Sequence, residues 1–241
     1  DHLYVREREW EAAHTVWLWP NLSSSMVFQS HLSDTTKRDR AVVLMFAAAE
    51  LLVRGGERVA FLGLTQPTAS RRATGRIAEA IATQAAAAGL NQTQPPKARL
   101  TRFSGTILLS DFLDPVATTR AHVEALAAEG AAGHLVQILD PAEETLPYEG
   151  RTEFLSPSGG ERWVADRVQS LRGQYKERFE AHRAELEELA KRLGWSFLVH
   201  HTDRPASEPL LTLIMRLEGG HGHYRWHDQP SILTPGPEAR P

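Results

Sequence analysis

The sequence predicts an α/β fold with a doubly wound, mostly parallel sheet flanked by helices, of the Rossmann-like kind. Short apolar runs of strand length alternate with longer amphipathic stretches of helix length along most of the chain. The composition is that of a globular domain, with 41% hydrophobic and 24% charged residues among 241. A chain of this length buries a large apolar core without disulfides.

The first half of the chain predicts two strand–helix pairs preceded by an edge strand. Residues 3–10 alternate charged and apolar side chains, as an exposed edge strand does. Apolar residues recur at helical spacing within Lys37–Arg54, and Gly55 with Gly56 ends that helix. The predicted elements are strands at 3–10, 14–19 and 58–65 and helices at Lys37–Arg54 and 74–89.

The second half continues this alternation and becomes less regular after Pro141. Asp114 followed by Pro115 predicts a helix N-terminus. The predicted strands are 105–112, 133–140, Thr152–Leu155 and 195–202, and the predicted helices are 114–130, 163–192 with a break near Gly173, and 207–217 capped by Gly219-Gly220. We therefore expect one domain over residues 1–220 and a flexible polar tail over 221–241.

Composition excludes several classes of function. The sequence has no cysteine, which removes thiolate nucleophiles and cysteine-type zinc sites. A net charge of −3 argues against binding to nucleic acid. The longest apolar stretch, 41–53, is too short to span a bilayer. We interpret Asp1 as a cut end. We expect a cytoplasmic protein that associates with a membrane only through partners or through residues upstream of Asp1.

Polar side chains follow two strands that should be neighbours in the sheet. Asn21, Ser23 and Ser25 come after the first buried strand, and Ser110 with Asp111 ends the third. In doubly wound folds ligands bind beyond the carboxyl ends of such strands, where the strand order reverses. Hydroxyl, amide and carboxylate oxygens suit Mg²⁺. Taken alone, the serine-rich turn after the first strand and the Ser110-Asp111 pair are each also typical of a helix-capping loop.

These residues resemble two related families. Asn21-x-Ser23-x-Ser25 is similar to the Asp-x-Ser-x-Ser signature of von Willebrand factor type A domains. From Asp1 to about Leu217 the chain resembles the Domain of Unknown Function 58 family, whose members carry a type A-like domain. The segments that carry this resemblance are VREREWE at 5–11, VWLW at 16–19, SSSM at 23–26, LSDF at 109–112 and LDPAE at 139–143.

The resemblance implies a metal-ion-dependent adhesion site and a protein partner. Ser23 and Ser25 would bind the ion directly, Asp111 would supply the carboxylate, and a threonine, Thr74 or alternatively Thr68, would assist. A partner's carboxylate would fill the open position. Genes of this family lie beside genes for MoxR-type AAA+ ATPases, which implies an adaptor or co-chaperone for such an ATPase. Asn21 replaces the usual aspartate, so we expect Mg²⁺ binding to be weak or absent.

Other candidates compete with this interpretation. A serine hydrolase using the Ser23–Ser25 turn lacks the glycine-flanked elbow and a histidine placed by a motif. No glycine-rich nucleotide loop is present. A structural assembly subunit with a vestigial crevice is a third alternative. The tail histidines His221, His223 and His227 are typical of a solvated tail that picks up metal only adventitiously, and His200 and His201 point to opposite faces of a strand, so they cannot share a ligand. A cluster of Arg71, Arg72 and Arg76 is a candidate contact for an acidic partner, although a solvated helix start is the more common role of such a cluster.

Overall fold

The computed structural model describes residues 13–89, 91–101, 104–157 and 159–224, and strands alternate with helices through most of this range. The strands are Thr15–Pro20 (β1), Arg58–Phe61 (β2), Gly105–Ser110 (β3), Ala132–Leu139 (β4), Thr152–Leu155 (β5), Arg162–Ala165 (β6) and Ser196–His201 (β7). The helices are Lys37–Arg54 (α1), Ala73–Ala88 (α2), Val116–Ala128 (α3), Pro141–Thr145 (α4), Arg172–Arg192 (α5) and Ser207–Tyr224 (α6).

Within the described residues the central sheet has five strands in the order β2-β1-β3-β4-β7, and every neighbouring pair is parallel. The predicted α/β fold class is therefore confirmed. Because β2 lies on one side of β1 and β3 on the other, the strand order reverses between β1 and β3, and their carboxyl ends open at the switch point. All six residues of β1 are buried, as a strand covered on both faces requires.

Helices cover both faces of the sheet. α1 packs on β1 and β2 and contacts α2 and α6, whereas α5 contacts α3 and the edge strand β7. The core-facing side of α1 is lined by fully buried side chains such as Leu44 and Met45. Thr36 caps this helix by accepting a hydrogen bond from the backbone N–H of Asp39, so α1 begins where the sequence predicts.

β2 ends earlier than predicted because the chain turns back. The Thr65 hydroxyl accepts a 2.8 Å hydrogen bond from the backbone N–H of Phe61. Thr68 then pairs antiparallel with Val59, near the amino end of β2. Gly63 lies in this turn at φ 78°, and a β-carbon there would be 2.6 Å from Pro96. α2 consequently starts toward the amino edge of the sheet.

Three element predictions were wrong. Residues 163–192 do not form one helix, because Arg162–Ala165 pairs with Thr152–Leu155 as an antiparallel hairpin and α5 starts at Arg172. Asp114 does not cap α3; it accepts a hydrogen bond from Gln94, and Pro115 precedes the helix. α6 runs through Gly219 and Gly220 instead of ending there.

Two predictions fall wholly or mainly on residues that the structure does not describe. The edge strand at 3–10 lies outside the described residues, and so does 225–241 of the predicted tail, while 221–224 belongs to α6. Within the described part of the chain, no helix is both long and apolar enough to cross a membrane.

Candidate functional site

The loops after β1 and β3 meet at the switch point through an amide–hydroxyl cluster of Asn21, Ser23, Ser25 and Ser110. The Asn21 Nδ2 donates a 3.0 Å hydrogen bond to the Ser110 Oγ, and Asn21 Oδ1 accepts one of 2.9 Å from the backbone N–H of Ser23. The Ser23 and Ser25 hydroxyls lie 3.1 Å apart and share a hydrogen bond. Four residues that the sequence places after two separate strands therefore form one network.

A second group at the same edge is the charged cluster of Lys37, Asp111 and Glu143. Lys37 is the first residue of α1, and its Nζ donates to Asp111 Oδ2 at 2.9 Å and to Glu143 Oε1 at 2.5 Å. The side chains are 1%, 5% and 14% exposed, respectively. Gln137 on β4 holds the backbone of Asp111 through a 3.0 Å hydrogen bond to its carbonyl. This is a buried ion pair with two acids on one ammonium.

The charges in this cluster determine its protonation. Burial lowers the pKa of Lys37, but the carboxylates of Asp111 and Glu143 reverse that effect and hold it above its ordinary value of 10.5. The ammonium therefore remains charged at neutral pH. Burial raises the pKa of Glu143, and the charge of Lys37 offsets part of that rise.

The LDPAE segment has a structural role that connects the two loops. Asp140 caps α4 by accepting from the backbone N–H of Ala142, while Glu143 Oε2 accepts from the backbone N–H of Asp140, which makes a capping box. The Asp140 carboxylate also accepts from the backbone N–H of Ser30 at 2.8 Å and from its hydroxyl at 2.5 Å. The loop after β1 is thereby fastened to α4.

Sequence reasoning missed Lys37 and Glu143 as site residues. One signal was present, because a lysine in the first turn of a helix faces the positive end of the helix dipole and is unfavourable there without an acidic partner. Its partners are separated from it by 74 and 106 positions, so no local pattern identifies them. Glu143 is concealed by its second role in the capping box.

The structure does not bring either candidate threonine to these clusters. Thr74 lies in the first turn of α2, and no hydrogen bond within the described residues joins it to Asn21, Ser23 or Asp111. The part of α2 that lines a groove with Ser24 is its later half, through Ala85. Thr74 is about 16 Å from Ala85 along the helix axis. Thr68 pairs with β2 near its amino end.

The donor set does not fit a divalent cation of the adhesion-site type. The Asp111 carboxylate is already bound by the Lys37 ammonium, and the Ser23 and Ser25 hydroxyls bond each other. Asn21, the fourth predicted ligand, uses its amide oxygen on the Ser23 backbone. Among the described residues there is also no group of three or more histidine, aspartate or glutamate side chains arranged to hold a metal.

The other candidates are dispersed. His200 contacts Arg40, whereas His201 contacts Glu144, so the two rings have separate partners. Within the described residues no histidine hydrogen-bonds Ser23 or Ser25. Arg71, Arg72 and Arg76 are exposed around the start of α2, away from the crevice. The side chains of His221 and His223, and all of His227, lie outside the described part of the chain.

Large apolar side chains are exposed around the crevice. The loop after β1 exposes Val27, Phe28 and Leu32, and the loop after β3 exposes Leu113, each between 37% and 44%. We call these four residues the apolar rim. Next to it, a groove between α1 and α2 is lined by apolar residues and bordered by Ser24 and Arg38.

Comparison with known proteins identifies the family. A family described as "Protein of unknown function DUF58" matches residues 1–185. The fold is similar to that of BatB from Bacteroides thetaiotaomicron, a conserved hypothetical protein, with 14% identity, a TM-score of 0.49 and coverage of 87% of this chain and 100% of that one.

A second solved structure gives a comparable match. It is an aerotolerance-related membrane protein from Bacteroides fragilis carrying multiple mutations to serines, with 14% identity, a TM-score of 0.47 and coverage of 86% of this chain and 100% of that one. A comparison with curated proteins returned no match. Since the family match covers well over half of the 241 residues, the chain belongs to the DUF58 family of proteins of unknown function.

Proposed function

We propose that this domain is a non-enzymatic protein-interaction module, acting as an adaptor or co-chaperone for a MoxR-type AAA+ ATPase through the loops at the carboxyl edge of its sheet. The observation that carries the proposal is the apolar rim, four large side chains exposed between 37% and 44% beside polar groups that bond one another. Clustered exposed apolar side chains with a polar surround are typical of protein-binding surfaces.

The half-buried members of the loop suit contact with an acidic residue of the partner. Ser24 and Ser25 keep part of their surface exposed, whereas Asn21, Ser23 and Asp111 are buried and shape the loop from within. Arg38 is exposed at the border of the same groove as Ser24 and supplies a positive charge, next to the negative charge of Asp39, which lines the same groove. A partner carboxylate would meet hydroxyls and a guanidinium there, without a bridging metal.

The geometry supports binding better than catalysis. A serine nucleophile needs an adjacent base oriented by a third group. The Ser23 hydroxyl instead pairs with the hydroxyl of Ser25, and no hydrogen bond from either hydroxyl to a histidine or a carboxylate is seen within the described residues. The carboxylate of Asp111, in the loop after β3, is bound to Lys37.

The test is binding of the purified protein to a purified MoxR-type AAA+ ATPase, with surface variants measured by biolayer interferometry. Val27→Asp and Leu32→Asp place charges in the apolar rim and should each weaken binding at least ~10-fold. The matched control is Leu211→Asp, at an exposed position of α6, which should bind like the unsubstituted protein.

Two outcomes would reject the proposal. If rim and control variants all bind equally well, the crevice is vestigial and the domain is a structural subunit. If the protein hydrolyses a generic ester and Ser23→Ala abolishes the turnover, the site is a hydrolase.

A further inference from the structure

We infer that the Lys37 ammonium is a resident cation, which does at this switch point what a divalent ion would otherwise do, so that the crevice is assembled without metal. This inference concerns how the loops are held together. It stands whether or not the partner is an ATPase.

The first argument is what the ammonium connects. Its Nζ comes from the start of α1 and bridges Asp111, in the loop after β3, and Glu143, in α4 after β4. Glu143 passes the connection to the backbone of Asp140, whose carboxylate holds Ser30 in the loop after β1. One cation thus ties together the loops that follow β1, β3 and β4, which is the cross-linking role of a bound ion.

The second argument is burial. The Lys37 side chain is 1% exposed, so its charge is turned inward and is not available to a partner. Its aliphatic stem and ammonium are enclosed among the elements it joins, with the Phe28 ring 5.9 Å from the Nζ. A lysine is rarely buried to this extent unless it is paired. The pairing with two carboxylates accounts for it.

The third argument is exclusion. A divalent cation bound to Asp111 would lie within a few ångströms of the ammonium, where two positive charges in a poorly solvated site repel strongly. The ammonium can be expelled only by moving a buried side chain away from both acids. While Lys37 is present, the carboxylates are therefore not free as metal ligands.

Removing the Lys37 ammonium should convert the charged cluster into a metal-binding site. Lys37→Ala leaves two carboxylates, Asp111 and Glu143, facing space that the lysine filled, close to the hydroxyl of Ser110, which lies 3.4 Å from Asp111 Oδ1. Hard oxygen ligands with two negative charges bind Mn²⁺ and Mg²⁺ far better than a set whose charges are cancelled.

The experiment titrates the protein with Mn²⁺ and measures free Mn²⁺ by electron paramagnetic resonance. The unsubstituted protein should show no saturable site below roughly 1 mM, and Lys37→Ala should gain at least ~20-fold in affinity. Lys37→Ala combined with Asp111→Asn should lose that gain, and the matched control Lys191→Ala, at an exposed lysine in the last turn of α5, should behave like the unsubstituted protein.

Each result decides the question. A saturable Mn²⁺ site in the unsubstituted protein that Asp111→Asn removes would overturn the inference, and so would a folded Lys37→Ala protein without any gain. If Lys37→Ala folds but is too unstable for the titration, its thermal unfolding with and without Mn²⁺ replaces the titration: Mn²⁺ must raise the Tm of the variant and leave that of the unsubstituted protein unchanged. If even that transition is lost, the unsubstituted protein alone decides, since a tight site in it refutes the inference and its absence supports it.

Discussion

Two buried basic side chains at opposite edges of the sheet have opposite charge states. Lys37, at the carboxyl edge, touches two carboxylates and keeps a pKa above its ordinary value. His134 lies near the start of β4, at the amino edge, where its Nδ1 is 2.7 Å from the Ser196 hydroxyl. Burial, with a smaller effect from Arg216, lowers its pKa to about 4.

The difference teaches that counter-charge, and not depth alone, decides whether a buried base stays protonated. His200 supports this conclusion from the carboxyl edge itself, because burial and the charges of Arg40 and His201 lower its pKa to about 4 against the smaller opposing effect of the Asp203 carboxylate. The Arg40 guanidinium can only donate, so the Nε2 of His200, 3.2 Å away, accepts and the ring is neutral.

The largest expected effect on stability comes from removing the Lys37 ammonium, which neutralises the buried carboxylates at the carboxyl edge. Lys37→Met keeps an apolar stem but leaves the Asp111 and Glu143 carboxylates buried without a counter-ion, and the protein should lose about 3–5 kcal/mol of stability in urea denaturation at pH 7. The matched control is Arg38→Met, which is exposed and should change stability by less than about 0.5 kcal/mol. A loss below about 1 kcal/mol for Lys37→Met would break the comparison, because an ion pair this deeply buried should cost more to disrupt.

The second effect is acid sensitivity at the amino edge. The folded-state pKa of His134, about 4, lies below its value of 6.5 in the unfolded chain, so its contribution is complete above about pH 6.5 and is lost as the pH falls toward 4. A shift of this size is worth about 3 kcal/mol. His134→Gln should flatten the fall in the unfolding free energy over this interval.

The acid-unfolding measurement has its own control. His31→Gln replaces an exposed histidine and should leave the slope as it is in the unsubstituted protein. Equal slopes for His134→Gln and the unsubstituted protein would mean that folding does not lower the pKa of His134. The ring would then be protonated in the folded protein over this interval, and burial would not explain a difference in charge state between His134 and Lys37.

The third effect is one of packing. A β-carbon at Gly133, beside His134, would lie 2.0 Å from the Trp195 ring, whose Nε1 is fixed by a 3.0 Å hydrogen bond to the Ala131 carbonyl. Gly133→Ala should therefore cost about 1–3 kcal/mol by overpacking. Gly75→Ala in α2, where nothing lies within 4 Å, should instead stabilise by up to about 1 kcal/mol. Thermal unfolding measures both variants. If Gly133→Ala leaves the Tm unchanged, the packing around Trp195 can adjust to an added methyl group.

The smallest expected effect separates two reasons to expect weak metal binding, the missing charge at position 21 and the ammonium of Lys37. Asn21→Asp introduces the aspartate of the type A signature that this segment resembles, yet it should not create a Mn²⁺ site, because Lys37 still holds Asp111. Stability should fall by about 1 kcal/mol, since the hydrogen bond from Asn21 Nδ2 to Ser110 is lost. Micromolar Mn²⁺ affinity in this variant would show that the charge at position 21, and not the ammonium, controls the site.

The fold was predictable because its information is local. The repeated strand–helix alternation predicted the parallel sheet, and the α1 boundaries matched because Thr36 and Gly55 are capping residues next to the helix. The hairpin of Thr152–Leu155 with Arg162–Ala165 was half missed, since a charged stretch around Trp163 continues smoothly into the helical pattern of α5. The capping of α6 at Gly219-Gly220 was wrong because tertiary context can carry a helix through glycine.

The site was predictable only in part, because only some of its residues are placed by local sequence patterns. Asn21, Ser23, Ser25 and Asp111 follow strand ends, so the topology of a parallel sheet brings them to one edge. Thr74 was chosen from its position after β2, and the return of the chain through Thr68 moves the start of α2 to the other edge.

By itself, the sequence determined the fold class, the absence of thiol chemistry and the loops that meet at the switch point, because strand period, composition and capping residues act over a few positions. Only the tertiary structure decided what those loops hold. Lys37 reaches Asp111 and Glu143 across 74 and 106 residues of chain, and such a contact depends on how strands and helices pack. The charge that shapes the crevice is therefore set by long-range packing, whereas its position at the sheet edge is set by local pattern.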